Sequence, residues 1–381
     1  MLSRFKNVDW VIVLVILALL VIGLFAVYSA DYGKSSNLTF QKQIVWVFTS
    51  AILLILISLI DYPILRDYKW IFYATSIVLL TLSLIIGTKI GGAKRWLKIG
   101  VLSFQPSEFA KLFLIIFLSA FLEERSSMIG TYRTWLLSFI TFLIPAIEIA
   151  LEPDLGTAVI LLMIWFLMMF VAGVSYKSII IFLIIVILSI PLFYNFVLRD
   201  YQRARIEAFI NPYSDMSGKG YHIIQSIKTL GSGGLWGRGY LKGPQNLKNI
   251  LPEEDNDFIF AVIGEELGFV GSIGIILLYF ILVIRCFRVI LHATDVFGTL
   301  LASGITISLV LQVFENIGMV AGILPITGLT LPFISAGGSS STAFALGVGL
   351  VLSIGKKGSR LGTVEKRAIG GKYLEDKSIK K

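Results

Sequence analysis

Long apolar runs dominate this sequence and constrain its fold more than any other feature. An α-helix needs about 20 residues to cross the hydrocarbon core of a membrane, and each run is close to that length. Helices are expected, because a backbone in lipid must satisfy its own hydrogen bonds, and no run alternates as a membrane-spanning strand would. The pattern predicts an all-α polytopic integral membrane protein with about ten transmembrane helices. The predicted spans lie near residues 10–29, 42–60, 70–87, 105–122, 134–151, 155–173, 177–197, 257–285, 297–320 and 333–355.

The composition agrees with this class and excludes several kinds of site. Only 15% of the 381 residues are charged, whereas a soluble domain carries about 25%. The first run follows a basic start but lacks a convincing cleavage site, so we interpret it as a helix and not as a signal peptide. The single cysteine, Cys286, excludes a disulfide within the chain. With only two histidines, a His/Cys metal site is not expected.

The basic residues predict an orientation and draw attention to one loop. Ten spans put both termini on one side, and the basic tail at 356–381 places that side in the cytoplasm. We predict one transmembrane domain over 1–355, with a long extracytoplasmic loop at about 198–256 between helices 7 and 8, and a disordered cytoplasmic tail. The loop is basic, which indicates either an anionic ligand such as a diphosphate or simply a solvated loop. Its basic residues are Arg199, Arg203, Arg205, Lys219, Lys228, Arg238, Lys242 and Lys248.

Six charged residues fall inside predicted spans, where charge is costly and usually functional. Glu108 and Lys111 are three positions apart on one helix and can neutralise each other. They are candidates for a substrate site, and equally for a structural ion pair. The six residues are Glu108, Lys111, Glu148, Glu265, Glu266 and Glu315.

Asp257 is predicted at the outer mouth of the eighth span, at the end of an acidic segment that begins at Glu253. A carboxylate there can take a proton from a hydroxyl group. It can also cap the helix that follows, as Asp often does. Position alone favours the cap.

Several segments, in order along nearly the whole chain, resemble the SEDS family of bacterial cell-wall synthesis, which includes RodA and FtsW. Each match is weak alone, but the ordered set is highly specific. Two departures are Asp255-Asn256 before Asp257, where the family usually has Thr or Ser, and Ala336, where it has Tyr. The matching segments are 92–97, 104–111, 153–158, 220–226, 231–235, 256–260, 264–268, 316–319 and 324–340.

The resemblance implies an inverting peptidoglycan glycosyltransferase that polymerises lipid II at the outer face of the cytoplasmic membrane. It places the family's essential carboxylate at Asp257, which would deprotonate the acceptor hydroxyl, while nearby cations stabilise the departing undecaprenyl diphosphate. No cofactor is certain, although a divalent cation, Mg or Mn, could share that task. The substrate-binding candidates are Lys111, Glu108, Arg95, Lys94, Trp96, Gln105, Ser107, Asp154, Arg203, Arg205 and Ser339.

The resemblance also implies a partner, a class B penicillin-binding protein that cross-links the strands. Residues 239–245 and 316–319 look RodA-like, whereas residues 102–109 look more like FtsW. We favour a RodA-like role in elongation, with an FtsW-like role in division as the alternative. Two other classes stay open: a lipid II flippase or transporter, and a scaffold without chemistry.

Overall fold

The computed structural model describes residues 8–32, 38–90, 93–99, 102–196, 198–215, 218–243 and 255–357. These residues form α-helices joined by short connections, with two single 3₁₀ turns at Ser126–Met128 and Pro212–Ser214. The helices are α1 (Trp10–Asp31), α2 (Leu38–Ser58), α3 (Ile64–Asp67), α4 (Lys69–Ile86), α5 (Pro106–Glu124), α6 (Tyr132–Leu151), α7 (Leu155–Val171), α8 (Tyr176–Phe196), α9 (Asp200–Ile210), α10 (Lys219–Ser232), α11 (Ile259–Leu291), α12 (Val296–Val320) and α13 (Gly338–Lys357).

All ten predicted spans coincide with helices, and the polytopic α-helical class is confirmed. Within the described residues, eight helices are long and apolar enough to cross a membrane. The other two predicted spans are α5, which includes Glu108 and Lys111, and α7, which has 17 residues. Charge lowers the hydropathy of α5, but its place in the bundle is that of a membrane helix.

The predicted outer loop and the predicted tail both differ from the sequence prediction. The predicted outer loop contains the helices α9 and α10, while its residues 244–254 lie outside the described part of the chain. The predicted tail begins later than residue 356, because α13 continues to Lys357, and the remainder of the tail lies outside the described residues.

A small antiparallel sheet, which the sequence did not predict, precedes α5. It consists of β1 (Thr88–Ile90), β2 (Ala93–Ile99) and β3 (Leu102–Phe104) in the order β1-β2-β3. Pairing is antiparallel throughout, with Thr88 opposite Trp96 and Leu97 opposite Phe104. We call the end of the bundle that carries this sheet the sheet end.

Both ends of the described chain lie at the opposite end of the bundle. Arg285, near the end of α11, forms an ion pair of 3.5 Å with Asp9, just before α1. Asp295, which caps α12, lies 3.9 Å from Lys357 at the end of α13. The chain therefore enters and leaves the bundle on the same side, as an even number of crossings requires.

The helices differ greatly in how much they are covered by others. Helices α5, α12 and α13 are largely buried, whereas α8 has no buried residue. Helix α8 contacts the bundle through Phe182, whose ring packs on Trp135, Phe139, Trp165 and Phe166. An apolar groove lies between α7, α9 and α12.

Candidate active site

The sheet presents one arginine to a buried carboxylate at the start of α7. Arg95 in β2 forms an ion pair with Asp154, with 3.0 Å between Nη1 and Oδ2. Asp154 is almost fully buried and caps α7 by accepting a hydrogen bond from the Thr157 amide at 3.2 Å. The sheet, although short, thus holds a guanidinium group at the edge of the helical bundle.

A second set of polar contacts joins the start of α5 to the same carboxylate. Gln105 precedes α5, and its side-chain amide donates to Asp154 Oδ2 at 3.3 Å and to Ser107 Oγ at 3.1 Å. Its backbone amide donates to Ser339 Oγ at 3.0 Å, at the start of α13. Five of the predicted site residues therefore lie in one cluster: Arg95, Gln105, Ser107, Asp154 and Ser339.

Asp257 lies in a turn that is fixed by backbone hydrogen bonds. Asn316 in α12 donates to the Asp257 carbonyl at 2.9 Å. Ser335 donates to the Asn256 carbonyl at 2.6 Å, and the Ala336 amide donates to the Asp255 carbonyl at 3.0 Å. The N-cap residue of α11 is Phe258, whose side chain makes no capping hydrogen bond. Asp257 stands one residue earlier and is therefore not the N-cap residue of that helix.

The Asp257 carboxylate and the Arg95 guanidinium group are neighbours. A Cβ atom added to Gly328 would lie 3.3 Å from Asp257 Oδ2 and 3.8 Å from Arg95 Nη2, so the two groups flank one glycine. Burial lowers the pKa of Arg95, but the charges of Asp154 and Asp257 outweigh burial and raise that pKa above its usual value. Arg95 is therefore a permanent cation between two carboxylates.

Lys111 and Glu108 form a buried pair deeper in the bundle. Lys111 Nζ lies 3.0 Å from Glu108 Oε1 and donates to Gln312 Oε1 at 2.5 Å. Gln312 in turn donates to Ser340 Oγ at 3.0 Å. Both charged side chains are only 3% exposed. The predicted mutual neutralisation is present, and Gln312 extends it to α12 and α13.

Glu315 connects the charged cluster to the apolar groove between α7, α9 and α12. It accepts a hydrogen bond from Thr327 and is close enough to interact electrostatically with Asp257 and Asp154. The groove has a volume of about 350 Å³, and Glu315, Thr327 and Arg205 are among its lining residues. Pro153 also lines it, so the groove reaches the sequence neighbours of Asp154 and Gly328.

The remaining predicted site residues lie apart from this cluster, or their side chains lie outside the described part of the structure. Arg203 donates to the Tyr194 and Asn195 carbonyls at 3.0 and 2.7 Å, which ties α9 to the end of α8. Trp96 follows Arg95 in β2, and its side chain therefore projects to the other face of the strand. The side chain of Lys94 lies outside the described part of the structure.

Two polar residues of this region were missed as candidates. Gln312 lies on the same helix face as Glu315 and Asn316, and this spacing of three and four residues was a usable signal. Glu152 precedes the Pro153–Ala158 motif, is fully buried and accepts a hydrogen bond from Ser83 in α4. Nothing in the sequence indicates that burial.

No metal cluster of side chains is evident among the described residues. They contain no group of three or more His, Cys, Asp or Glu side chains placed to hold a metal ion. The divalent cation stays a prediction.

Comparison with known proteins reveals relatives over nearly the whole chain. A family model for FtsW, RodA and SpoVE, described as cell cycle protein, matches residues 9–360. The peptidoglycan glycosyltransferase MrdB of Escherichia coli (strain K12) is 35% identical over 348 residues, which cover 91% of this chain and 93% of MrdB. The probable peptidoglycan glycosyltransferase FtsW of Geobacter metallireducens is 37% identical over 370 residues, covering 94% of this chain and 98% of the relative.

The fold has a solved counterpart. A chain from a peptidoglycan synthase complex, solved to explain how polymerization and crosslinking are coordinated, superimposes with a TM-score of 0.81. It is 30% identical, and the match covers 93% of this chain and 99% of the other.

Proposed function

The chain belongs to the FtsW, RodA and SpoVE family of peptidoglycan glycosyltransferases, and we propose that it polymerises lipid II at the outer face of the cytoplasmic membrane. One observation carries the substrate assignment: the charged cluster of Asp257, Arg95 and Asp154 adjoins a groove whose walls are mainly apolar. A diphosphate-linked polyprenyl sugar has matching chemistry, with an anionic head and a long apolar chain.

In the proposed reaction, Asp257 is the general base. Its carboxylate takes the proton from the 4-hydroxyl of the acceptor's N-acetylglucosamine. The oxygen attacks the anomeric carbon of the donor's N-acetylmuramic acid from the opposite face. The bond from that carbon to the diphosphate oxygen breaks, undecaprenyl diphosphate leaves with the electron pair, and the configuration inverts.

Arg95 is the first candidate to stabilise the leaving group. It lies beside Asp257, keeps its charge and is partly exposed, at 18% of its side chain. A fixed cation stabilises negative charge that develops in the transition state. Lys111 is buried in its contacts with Glu108 and Gln312, so its part in the proposal is to hold these two side chains in place. Arg205 lines the groove and is a candidate contact for the diphosphate.

The surroundings of the reaction follow from the same proposal. The sheet end faces the outside of the cytoplasmic membrane, and both termini lie in the cytoplasm. A class B penicillin-binding protein cross-links the product. The similarity to a chain of a synthase complex that couples polymerization and crosslinking supports the partner.

A lipid II flippase is the main alternative, and the packing of α5 argues against it. A transporter needs polar groups that continue to the far side of the membrane. Below Glu108 and Lys111 the structure has a cavity of about 20 Å³, lined mostly by apolar residues such as Leu112 and Ile305. That volume holds about one water molecule, which is too small for a disaccharide.

Polymerisation of labelled lipid II by the purified protein with its transpeptidase tests the proposal. Asp257→Asn should lower the rate by about 10²–10⁴-fold, the usual contribution of a general base. Asp255→Asn, the same change of charge two residues away, should stay near the wild-type rate. Full activity of Asp257→Asn in properly folded protein would refute the base. An inactive wild type, under conditions where MrdB makes polymer, would favour the flippase.

The cellular role is a separate proposal, in which the chain acts in elongation, as RodA does. Depletion in the source organism should then give rounded cells, because the side wall is no longer extended. Filaments with no division septa would instead assign the chain to division.

A further inference from the structure

Helix α11 is broken close to Asp257. At Gly268 the backbone has φ of 68° and ψ of −165°, which is not helical. The break divides α11 into a short first segment, residues 259–267, and a long second segment, residues 269–291. The first segment begins two residues after Asp257, so its placement determines where the Asp257 turn can lie.

A glycine-rich loop of residues 233–241 packs across this break, and we call it the splint loop. A helix end leaves four carbonyl or four amide groups without partners within the helix. The splint loop serves both sides of the break, since Arg238 and Gly239 donate their amides to the Glu265 and Glu266 carbonyls at 2.9 and 3.0 Å. On the other side, the Phe269 amide donates to the Gly234 carbonyl at 2.9 Å. A fourth bond joins Val270 to the loop, from its amide to the Leu235 carbonyl at 3.2 Å.

These four bonds replace the hydrogen bonds that a continuous helix would make. In or near the hydrocarbon region water is scarce, so an unsatisfied backbone group is costly. A broken helix is therefore stable there only while the loop remains docked. The splint loop is bound to backbone atoms on both sides of the break, which fixes one helix segment relative to the other.

The loop and the helix approach each other too closely for side chains. A Cβ atom on Gly237 would lie 2.1 Å from the Glu266 carbonyl oxygen, and one on Gly268 would lie 2.3 Å from the Gly237 nitrogen. Both glycines have positive φ, at 80° and 68°. The contact thus depends on two positions where any side chain would separate the loop from the helix.

Side chains fasten the same junction to α1 and α10. Glu266 accepts a hydrogen bond from Ser29 near the end of α1, and another from the Leu241 amide at 3.2 Å. Glu265 accepts from Ser232 at the end of α10, at 3.1 Å. Tyr240 donates to the Phe25 carbonyl at 3.0 Å. The first segment of α11 is therefore held from two sides, by α1 and by the end of α10.

We propose that the splint loop is a positioning element for the polymerisation reaction, holding the short helix segment that fixes Asp257 opposite Arg95. The inference rests on the proposed function of Asp257. Asn316 and Ser335 hold the Asp257 turn from the α12 and α13 side, and the splint loop holds it from the α11 side. Gly237, Gly268 and Glu266 act through Asp257 and touch no reacting atom.

The test compares Gly237→Ala with Gly274→Ala in the full-length protein. A Cβ on Gly274, in the second segment of α11, meets nothing within 4 Å, so this variant controls for a methyl group added to the same helix. Gly237→Ala should lower kcat by about 100-fold, because a displacement of about 1 Å can have that effect. Its KM for lipid II should stay within about twofold, since the substrate-binding residues do not move.

Hydrogen exchange gives a measurement that does not depend on activity. In Gly237→Ala the amides of residues 259–267 should exchange at least about tenfold faster, while those of α5 and α12 keep the wild-type rate. Unchanged exchange in residues 259–267 would refute the splint. Faster exchange with unchanged kcat would refute its influence on Asp257, and a raised KM would assign the loop to substrate binding instead.

Ser29→Ala decides the matter if Gly237→Ala does not fold. This variant removes one side-chain bond to Glu266 and leaves the close backbone contact intact. It should lower kcat several-fold with KM unchanged, and wild-type kcat would refute the proposal. The two proposals can fail separately. If Asp257→Asn were active, the proposed base would be wrong. Faster exchange of residues 259–267 in Gly237→Ala would still show that the splint loop holds the first segment of α11.

Discussion

Helices α5 and α8 are similar in length and opposite in environment. Helix α5 has 19 residues, of which 15 are buried, and it contains Glu108, Lys111 and Ser119 among them. Helix α8 has 21 residues, and none of them is buried. The more polar helix is at the centre of the bundle and the more apolar one is at its edge.

This arrangement inverts the rule for soluble proteins, and the solvent explains why. Lipid solvates an apolar side chain as well as another helix does, so hydrophobicity gives α8 no reason to be covered. Charged groups in lipid are costly and are placed towards the bundle interior, where they find partners. In this chain, polarity inside a span is the better indicator of a central position.

Breaking the charge pair of α5 should have the largest effect of the changes that test this contrast. Lys111→Met leaves the Glu108 carboxylate buried without its cation, which costs about 3–5 kcal/mol when one partner of a buried pair is removed. We expect a sharp loss of folded protein in detergent, measured by the midpoint of thermal unfolding and by size-exclusion chromatography.

The double variant Glu108→Gln/Lys111→Met is the control for that experiment. It removes both charges, so most of the lost stability should return. If the double variant were as unstable as Lys111→Met alone, the loss would come from packing and not from the unpaired carboxylate.

The same substitution placed in each helix should give a smaller but clearer difference. Leu118 in α5 has no exposed surface, whereas Leu188 in α8 is 68% exposed. Leu118→Ala should destabilise the protein by about 2–5 kcal/mol through the cavity it leaves. Leu188→Ala should stay within about 0.5 kcal/mol. Equal losses from the two variants would show that α8 packs on the bundle in the detergent-solubilised protein.

The spans themselves could be predicted from the sequence, because length and hydropathy report directly on crossing a membrane. The positions of the helices in the bundle could not, since α5 and α8 both qualify as spans and differ only in their neighbours. The break at Gly268 was also missed. Residues 257–285 form one apolar run, and nothing local marks the approach of Gly237 from the loop before it.

The candidate site was predicted in part, for a similar reason. Family resemblance brought Arg95, Asp154 and Asp257 together, although 162 positions separate the first from the last. Arg203 and Arg205 were both candidates for substrate binding because of their charge. Of the two, Arg205 lines the groove and Arg203 does not. Glu152 was missed because its burial depends on α4, from which Ser83 donates to its carboxylate.

Glu152 provides the last test of the comparison, because pH distinguishes a buried carboxylate from an exposed one. Burial raises its pKa to about 8, although the hydrogen bond from Ser83 acts in the opposite direction. Asp200, the first residue of α9, which directly follows α8, is fully exposed and serves as the control. Both residues lie outside the membrane-spanning helices, so the comparison concerns the ends of the bundle.

The direction of the pH effect depends on whether the folded and the unfolded chain hold the Glu152 proton at a given pH. Below the ordinary carboxyl pKa both folded and unfolded chains hold the proton, and Glu152 does not make stability depend on pH. Between that value and about 8 the unfolded chain loses the proton while the folded chain keeps it, so stability falls as the pH rises. Above about 8 the dependence ends, because both states are ionised.

Thermal unfolding between pH 5 and pH 9 would measure this dependence. We expect the midpoint to fall as the pH rises through this range in the wild type. The fall should be smaller in Glu152→Gln, whose side-chain oxygen can still accept from Ser83. Asp200→Asn should follow the wild-type curve. Parallel curves for Glu152→Gln and the wild type would mean that the Glu152 carboxyl ionises in the folded protein as readily as in the unfolded chain.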